Sequence, residues 1–154
     1  MQAGLLAGMA VAAFFFVADL VRLAPLYTPL HLSQSLIGAG LSLDTGGVLA
    51  AAAGFSPGGR LAAFTGVYLA AFAGFGILAA ALANLFHVKW NARTGAAAGL
   101  LSGLTAWFAA SRAGAAWIDA AHLTPELVIG AGIVGGAVLG WHLRLCRLDA
   151  EEAR

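Results

Sequence analysis

GLLAGMAVAAFFFVADLVRLA, residues 4–24, contains a single acid, Asp19, and a single base, Arg22, both in its last two turns. A bilayer core is about 30 Å thick, and a helix of about 20 mainly apolar residues crosses it. The stretch has no basic leading segment and is longer than the apolar region of a signal peptide. It therefore predicts a retained membrane span.

The composition of the whole chain points the same way. Of 154 residues, 61% are hydrophobic and 10% charged, with a mean hydropathy of +0.89. Soluble domains average about a quarter charged. A soluble fold of this size keeps too much surface in water to hide so much apolar side chain. Eight basic against seven acidic residues leave a net charge of +1, too balanced for a nucleic-acid partner. The lone cysteine, Cys146, excludes an internal disulfide framework and a cysteine-rich metal site. The expectation is an all-α integral membrane protein with one domain over residues 1–154.

Further spans are expected at about 60–86, 94–111 and 125–145, making a four-helix bundle in the lipid bilayer. The stretch 30–55 is apolar but interrupted by Gln34, Asp44 and Thr45, and loosened by Gly38, Gly40, Gly46 and Gly47. An aspartate at the bilayer centre costs roughly 2.5–3.5 kcal/mol to insert, so this stretch predicts an interfacial or re-entrant segment rather than a fifth span. Thr28-Pro29, Ser56-Pro57 and Thr124-Pro125 predict helix starts, with the hydroxyl accepting a first-turn N–H and proline at the first helical position. Glu126 adds a carboxylate at the positive end of the last helix. Pro25 is expected to end the first.

With four spans the termini share a side. Five basic residues (Lys89, Arg93, Arg144, Arg147 and Arg154) fall there, and three (Arg22, Arg60 and Arg112) fall opposite. The positive-inside rule then places both termini in the cytoplasm. Trp90, Trp117 and Trp141 fall near the expected boundaries, at the headgroup level that indoles favour.

Helices in lipid associate through close backbone approach, which small residues four apart permit. The third span carries Gly95, Gly99 and Gly103, and the fourth Gly132, Gly136 and Gly140. The first has Gly4, Gly8 and Ala12, and the second Ala62, Gly66, Ala70 and Gly74. These columns predict helix packing; codon bias toward glycine and alanine is the competing account. Phe64, Tyr68, Phe72 and Phe75 share one helical face. They form either a lipid-facing or inter-helix stripe, or a platform for a pigment or quinone.

The passage ADLVRLAPLYTP, residues 18–29, followed by a glycine-bearing segment, resembles a group of small bacterial multi-pass membrane proteins of uncharacterised function. Asp19, Leu20, Pro25, Thr28 and Pro29 carry the resemblance. It implies a first span ending in Asp-Leu, a Pro-x-x-Thr-Pro loop, an interfacial segment and three further spans, in a bacterial inner membrane. It implies no activity, cofactor or site.

The expected midplanes lie near Phe14, Ala73, Gly103 and Gly135, and no ionisable residue falls within about a turn of them. Proton relays and ion-coupled transporters use such residues, so coupled transport is disfavoured. Ser102 and Thr105 are expected to bond their own helix's carbonyls. Asp19 and Arg22, three apart, read as an interfacial ion pair, or else as an anchor for the Thr28-Pro29 loop or a partner's polar group. His87 and His142, at similar depth on different helices, are candidate haem ligands. Without a cofactor they are interfacial histidines. His31 and His122 lie on the opposite side, and His122 with Asp119 and Glu126 makes only a weak metal-ligand spacing; no metal site is expected. No nucleophile elbow, zinc motif or phosphate-binding glycine loop occurs, so an enzyme is not expected.

Two functions remain. The first is a non-catalytic accessory or structural subunit, packing against itself or other membrane subunits. The second is a membrane protein that binds haem, quinone or pigment through His87, His142 and the aromatic stripe. Passive permeation of a small neutral molecule also stays open.

Overall fold

The structure, a computed structural model, describes residues 1–38, 56–86, 89–112 and 123–152. Among them every regular element is a helix: α1 (Gln2–Val21), α2 (Tyr27–Gly38), α3 (Pro57–Phe86), α4 (Ala92–Arg112) and α5 (Pro125–Glu152). Three of these, α1, α3 and α5, are long and apolar enough to cross a membrane. Four spans were expected. Helix α4 has 21 residues, about 30 Å at 1.5 Å per residue, but alanine, glycine, serine and threonine fill it where leucine and phenylalanine would raise its hydropathy. Of the expected interfacial segment, residues 30–38 belong to α2, and 39–55 lie outside the described residues.

Helix starts follow local capping chemistry. Ser56 Oγ accepts the N–H of Gly59 at 3.3 Å, and its carbonyl accepts the N–H of Arg60 at 3.0 Å. Thr124 O takes the N–H groups of Leu127 and Val128 at 3.1 and 3.2 Å. Helix α4 opens on a further cap, at Asn91. Asn91 Oδ1 accepts from the N–H groups of Arg93 and Thr94, and Thr94 Oγ1 accepts from the N–H of Asn91 at 2.9 Å. This reciprocal arrangement satisfies donors that the helix itself leaves unpaired.

The expected start at Thr28 is corrected. Helix α2 begins at Tyr27, two residues before the proline expected to open it, and the Thr28 hydroxyl donates to Asp19 instead of accepting from its own first turn.

Helix α1 ends before Pro25 is reached, in a Schellman turn. Ala24 N–H donates to Asp19 O at 3.0 Å and Leu23 N–H to Leu20 O at 2.9 Å. Leu23 supplies the left-handed residue, with φ 56°, and Leu26 repeats the conformation at φ 65°. An L-residue there costs roughly 1–2 kcal/mol, which glycine avoids at some loss of chain entropy. Leu23 is 91% exposed, so its side chain contributes little packing. Leu23→Gly is expected to raise stability by about 0.5–1 kcal/mol, a rise of about 2–4 °C in detergent melts. An unchanged or lower midpoint would contradict this.

The long helices pack in the order α4–α5–α1–α3, with α2 laid on α3 and α1. Each neighbouring pair is antiparallel. Gly95 meets Gly140 and Gly103 meets Ile129; Val11 meets Gly135 and Phe14 meets Gly130; Gly4 meets Gly76. One end of the bundle therefore holds the start of α1, the end of α3, Lys89, the start of α4 and the end of α5. The other holds the α1–α2 turn and Pro57. Two small clusters close the core. Ala3, Ala7, Ala79 and Leu139 sit toward the Lys89 end, and Ala110 and Leu123, with Phe15, Leu32 and Trp107 against them, toward the Pro57 end. The outer faces expose large apolar side chains such as Phe75, Leu78, Leu85, Leu101 and Phe108. A continuous surface of this kind belongs in lipid.

Candidate functional site

Three features are built from the residues singled out above. The first is the seam between α4 and α5. A Cβ at Gly99 would lie 2.7 Å from the carbonyl carbon of Gly132 and 3.1 Å from Gly136 Cα. One at Gly95 would lie 2.9 Å from Gly140 Cα, and one at Gly103 would lie 3.0 Å from Ile129 Cα. From the other side, a Cβ at Gly136 would lie 2.9 Å from Gly99 Cα, one at Gly132 3.3 Å from Gly103 Cα, and one at Gly140 2.9 Å from Gly95 Cα. Backbone rests on backbone along the whole seam. Ser102 and Thr105 turn their hydroxyls to the carbonyls of Gly99 and Leu101 at 2.9 and 2.8 Å. Such a seam can hold two helices together, but it presents no reacting group.

Helix α3 uses its small residues differently. Against α1 it places Gly76, whose nitrogen and Cα both stand 2.9 Å from a Cβ built on Gly4. Ala62, Gly66, Ala70 and Gly74 are all exposed, and a Cβ at Gly66 or Gly74 meets nothing within 4 Å. The column read from the sequence thus lies on the outer face of α3, away from its contact with α1.

The second feature is the Asp19 carboxylate, which is 0% exposed. Its two oxygens accept from the Thr28 N–H at 2.8 Å and from the Thr28 hydroxyl at 2.6 Å. The anion therefore sits at the positive end of α2 and fills the place of an N-cap supplied from another helix. Thr28 is 2% exposed, and Ser33, one turn further on, returns its hydroxyl to Leu30 O at 2.7 Å. Arg22 stands one turn beyond Asp19 on the same chain. Residue spacing alone pairs Asp19 with Arg22 on its own helix, because the Thr28 contact forms only when the chain reverses through Leu23 and Leu26.

That clamp shapes the third feature, an apolar groove of about 620 Å³ between α1, α2 and α3, walled by Phe15, Phe16, Leu26, Leu32, Phe64 and Tyr68. The Tyr68 hydroxyl donates to Gly8 O at 2.8 Å, and its ring lies 4.7 Å from Phe72 and 6.1 Å from Phe64. These three rings lie between α3 and α1, whereas Phe75 faces outward at 62% exposure.

The histidines do not join this groove. His142 lies half-buried on α5, with its Nε2 buried and without a hydrogen-bond partner among the described residues. His87, the other candidate haem ligand, falls outside the described residues, as do His122 and Asp119. His31 stacks on Tyr27 with ring centroids 4.1 Å apart. Among the described residues, no group of three or more His, Cys, Asp or Glu side chains could hold a metal ion. Cys146 is exposed. Comparison with known protein families, characterised proteins and solved structures finds no match to this chain.

Proposed function

We propose that this chain is a non-catalytic integral membrane subunit, accessory or structural, that works by packing its helices against a second copy or other membrane subunits. The observation that carries this reading is the outer face of α3. Ala62, Gly66, Ala70 and Gly74 form a small-residue column that no described residue covers, on the least buried of the three apolar helices. Small residues are costly to expose to lipid for nothing, because they forfeit dispersion contacts that leucine would make. Within the chain, glycine columns of the same spacing are the places where helices meet.

The topology proposed for it has four crossings in a bacterial inner membrane, with α4 packed alongside α5. Two observations support this. Helices α1 and α3 are antiparallel, so the chain leaves α1 and enters α3 at the same end of the bundle. Lys89, Arg93, Arg144 and Arg147 gather at the opposite end, which the positive-inside rule assigns to the cytoplasm together with both termini.

Native gel electrophoresis after gentle solubilisation tests the packing role. Wild-type chain is expected to migrate in a larger assembly that Gly66→Leu dissociates, with the melting of the isolated chain unchanged, since the new side chain meets open space. A wild-type chain that runs alone in every mild detergent would remove the proposal's support.

The groove favours a second reading, an apolar ring such as a quinone or pigment held between Phe15, Phe16, Phe64 and Tyr68. Haem ligation gains nothing there, because no histidine is among the groove's described walls. An absorption spectrum and organic extraction of protein purified from native membranes distinguish the two readings.

A further inference from the structure

Helices α1 and α3 touch backbone to backbone at one end only, where Gly4 meets Gly76. One turn further along α1, Phe72 rests on Gly8, its ring 2.9 Å from a Cβ built there, and the Tyr68 hydroxyl reaches Gly8 O. Toward the Pro57 end the two helices are separated by the groove of about 620 Å³, and α2, clamped by Asp19, forms its third wall. Along α3 the groove runs from Leu61 to Tyr68, about 10 Å at 1.5 Å per residue. The hydrocarbon of one leaflet is about 15 Å deep. The groove thus lies within one leaflet, and the Tyr68 and Phe72 rings close its inner end. Ala12, Ala13, Phe16, Leu26 and Thr65 line it with exposed surface, so an occupant can reach its walls.

Among the described walls there are three hydroxyls and no charged side chain. Each hydroxyl has a single hydrogen, and each hydrogen is already donated: Thr28 to Asp19 Oδ1, Thr65 to Leu61 O at 2.8 Å, and Tyr68 to Gly8 O. Water would find too few partners, and an apolar hollow of this kind stays dry. A ring bearing carbonyls would leave its acceptors unpaired, because the walls have no donor to spare. Left empty, the aromatic walls would forfeit dispersion contacts. A hydrocarbon chain requires contact and nothing else. We propose that the groove holds one acyl chain of a membrane phospholipid, entering beside Leu26 and Leu61 and ending on the Tyr68 ring. Direction and depth single out that source, since the groove opens toward the helix ends, where headgroups lie, and reaches part-way through one leaflet. The proposal rests on the reading of the groove as a ligand site, and it puts a chain where that reading puts a ring.

Native mass spectrometry of the full chain, stripped of lipid and released from detergent, tests this with three probes: phosphatidylcholine, phosphatidylethanolamine and a benzoquinone without a tail. Phosphatidylcholine is expected to bind saturably, one molecule per chain. Phosphatidylethanolamine is expected to bind within about threefold of it, because the groove holds the tail and not the headgroup. Ala13→Trp fills the groove from α1 and is expected to weaken binding about tenfold or more. Thr65→Trp fills it from α3 with the same expected loss, and decides the matter if Ala13→Trp does not fold. Ala98→Trp, on the exposed surface of α4, is expected to change binding less than about twofold. Thr65→Val removes a hydroxyl at nearly constant volume, and an equally small change is expected because a chain accepts no hydrogen bond. Benzoquinone binding without phosphatidylcholine binding would overturn the chain and leave the ring reading standing. Binding of neither by folded wild-type chain would overturn the proposal together with the quinone reading. A loss in Ala98→Trp equal to that in the groove variants would also overturn it, because the lipid would then be adsorbed over the whole apolar surface.

Discussion

Gly99→Leu is expected to destabilise the bundle by about 3 kcal/mol, at the upper end of the usual overpacking cost. Most overpacked cores absorb a larger residue by rotating neighbouring side chains. At Gly99 nothing can rotate, because the atoms against it are the carbonyl of Gly132 and the Cα of Gly136. The helices must separate, and separation spreads along the seam to Gly95–Gly140 and Gly103–Ile129. Even Gly99→Ala is expected to cost roughly half as much, although alanine is otherwise the better helix former. Denaturant titration in mixed micelles, followed by circular dichroism, measures both. Gly74→Leu, on the open face of α3, serves as the reference and is expected to change folding stability by less than about 0.5 kcal/mol. Equal tolerance of leucine at Gly99 and Gly74 would reduce the seam to a by-product of glycine-rich composition.

How much of this was legible in the sequence differs from helix to helix. Helices α1, α3 and α5 could be read directly, because their apolar runs exceed the thickness of a bilayer and few residue types sustain such a run. Helix α4 could be read as a helix from its glycine spacing, but its small and hydroxylated residues carry a weak hydropathy signal. Residues suited to close backbone contact are also residues of low hydropathy. On α3, the sequence shows small residues on two faces, Gly76 on one and the Gly66 column on the other. Only the position of α1 distinguishes them, and that position is a tertiary fact.

The Asp19–Thr28 contact was legible as a possibility and hidden as a geometry. The two residues are nine apart, and they meet only because Leu23 and Leu26 adopt left-handed backbone that leucine rarely takes. Propensity argues against such a turn, so local reasoning assigns Thr28 to its own helix start and Asp19 to Arg22. The Asn91 cap, by contrast, needed no tertiary knowledge. An asparagine with threonine three residues later, immediately before a small-residue helix, is a start signal in the sequence alone.

Asp19→Ala is expected to cost about 3 kcal/mol and to release α2 from the end of α1. The carboxylate accepts two hydrogen bonds from one residue in a site without solvent. Hydrogen bonds to a charged group contribute about 1.5–3 kcal/mol each. Truncation also leaves the Thr28 N–H and hydroxyl buried and unpaired, a penalty that water would relieve on an exposed surface and cannot relieve here. Asp19→Asn keeps the shape and one acceptor oxygen, so about half the loss is expected. Thr28→Val removes the hydroxyl while keeping the N–H bond and the packing volume, and is expected to cost about 1–2 kcal/mol. Because the two residues act on each other, the double variant Asp19→Ala, Thr28→Val is expected to lose less than the sum of the singles by about 1 kcal/mol or more. Hydrogen exchange of the α2 amides measured beside global unfolding separates local release from general destabilisation. Faster exchange confined to residues 27–38 at unchanged seam stability is the expected pattern. Full additivity of the two substitutions, with α2 as protected as in the wild type, would mean that packing against α3 alone holds α2 in place.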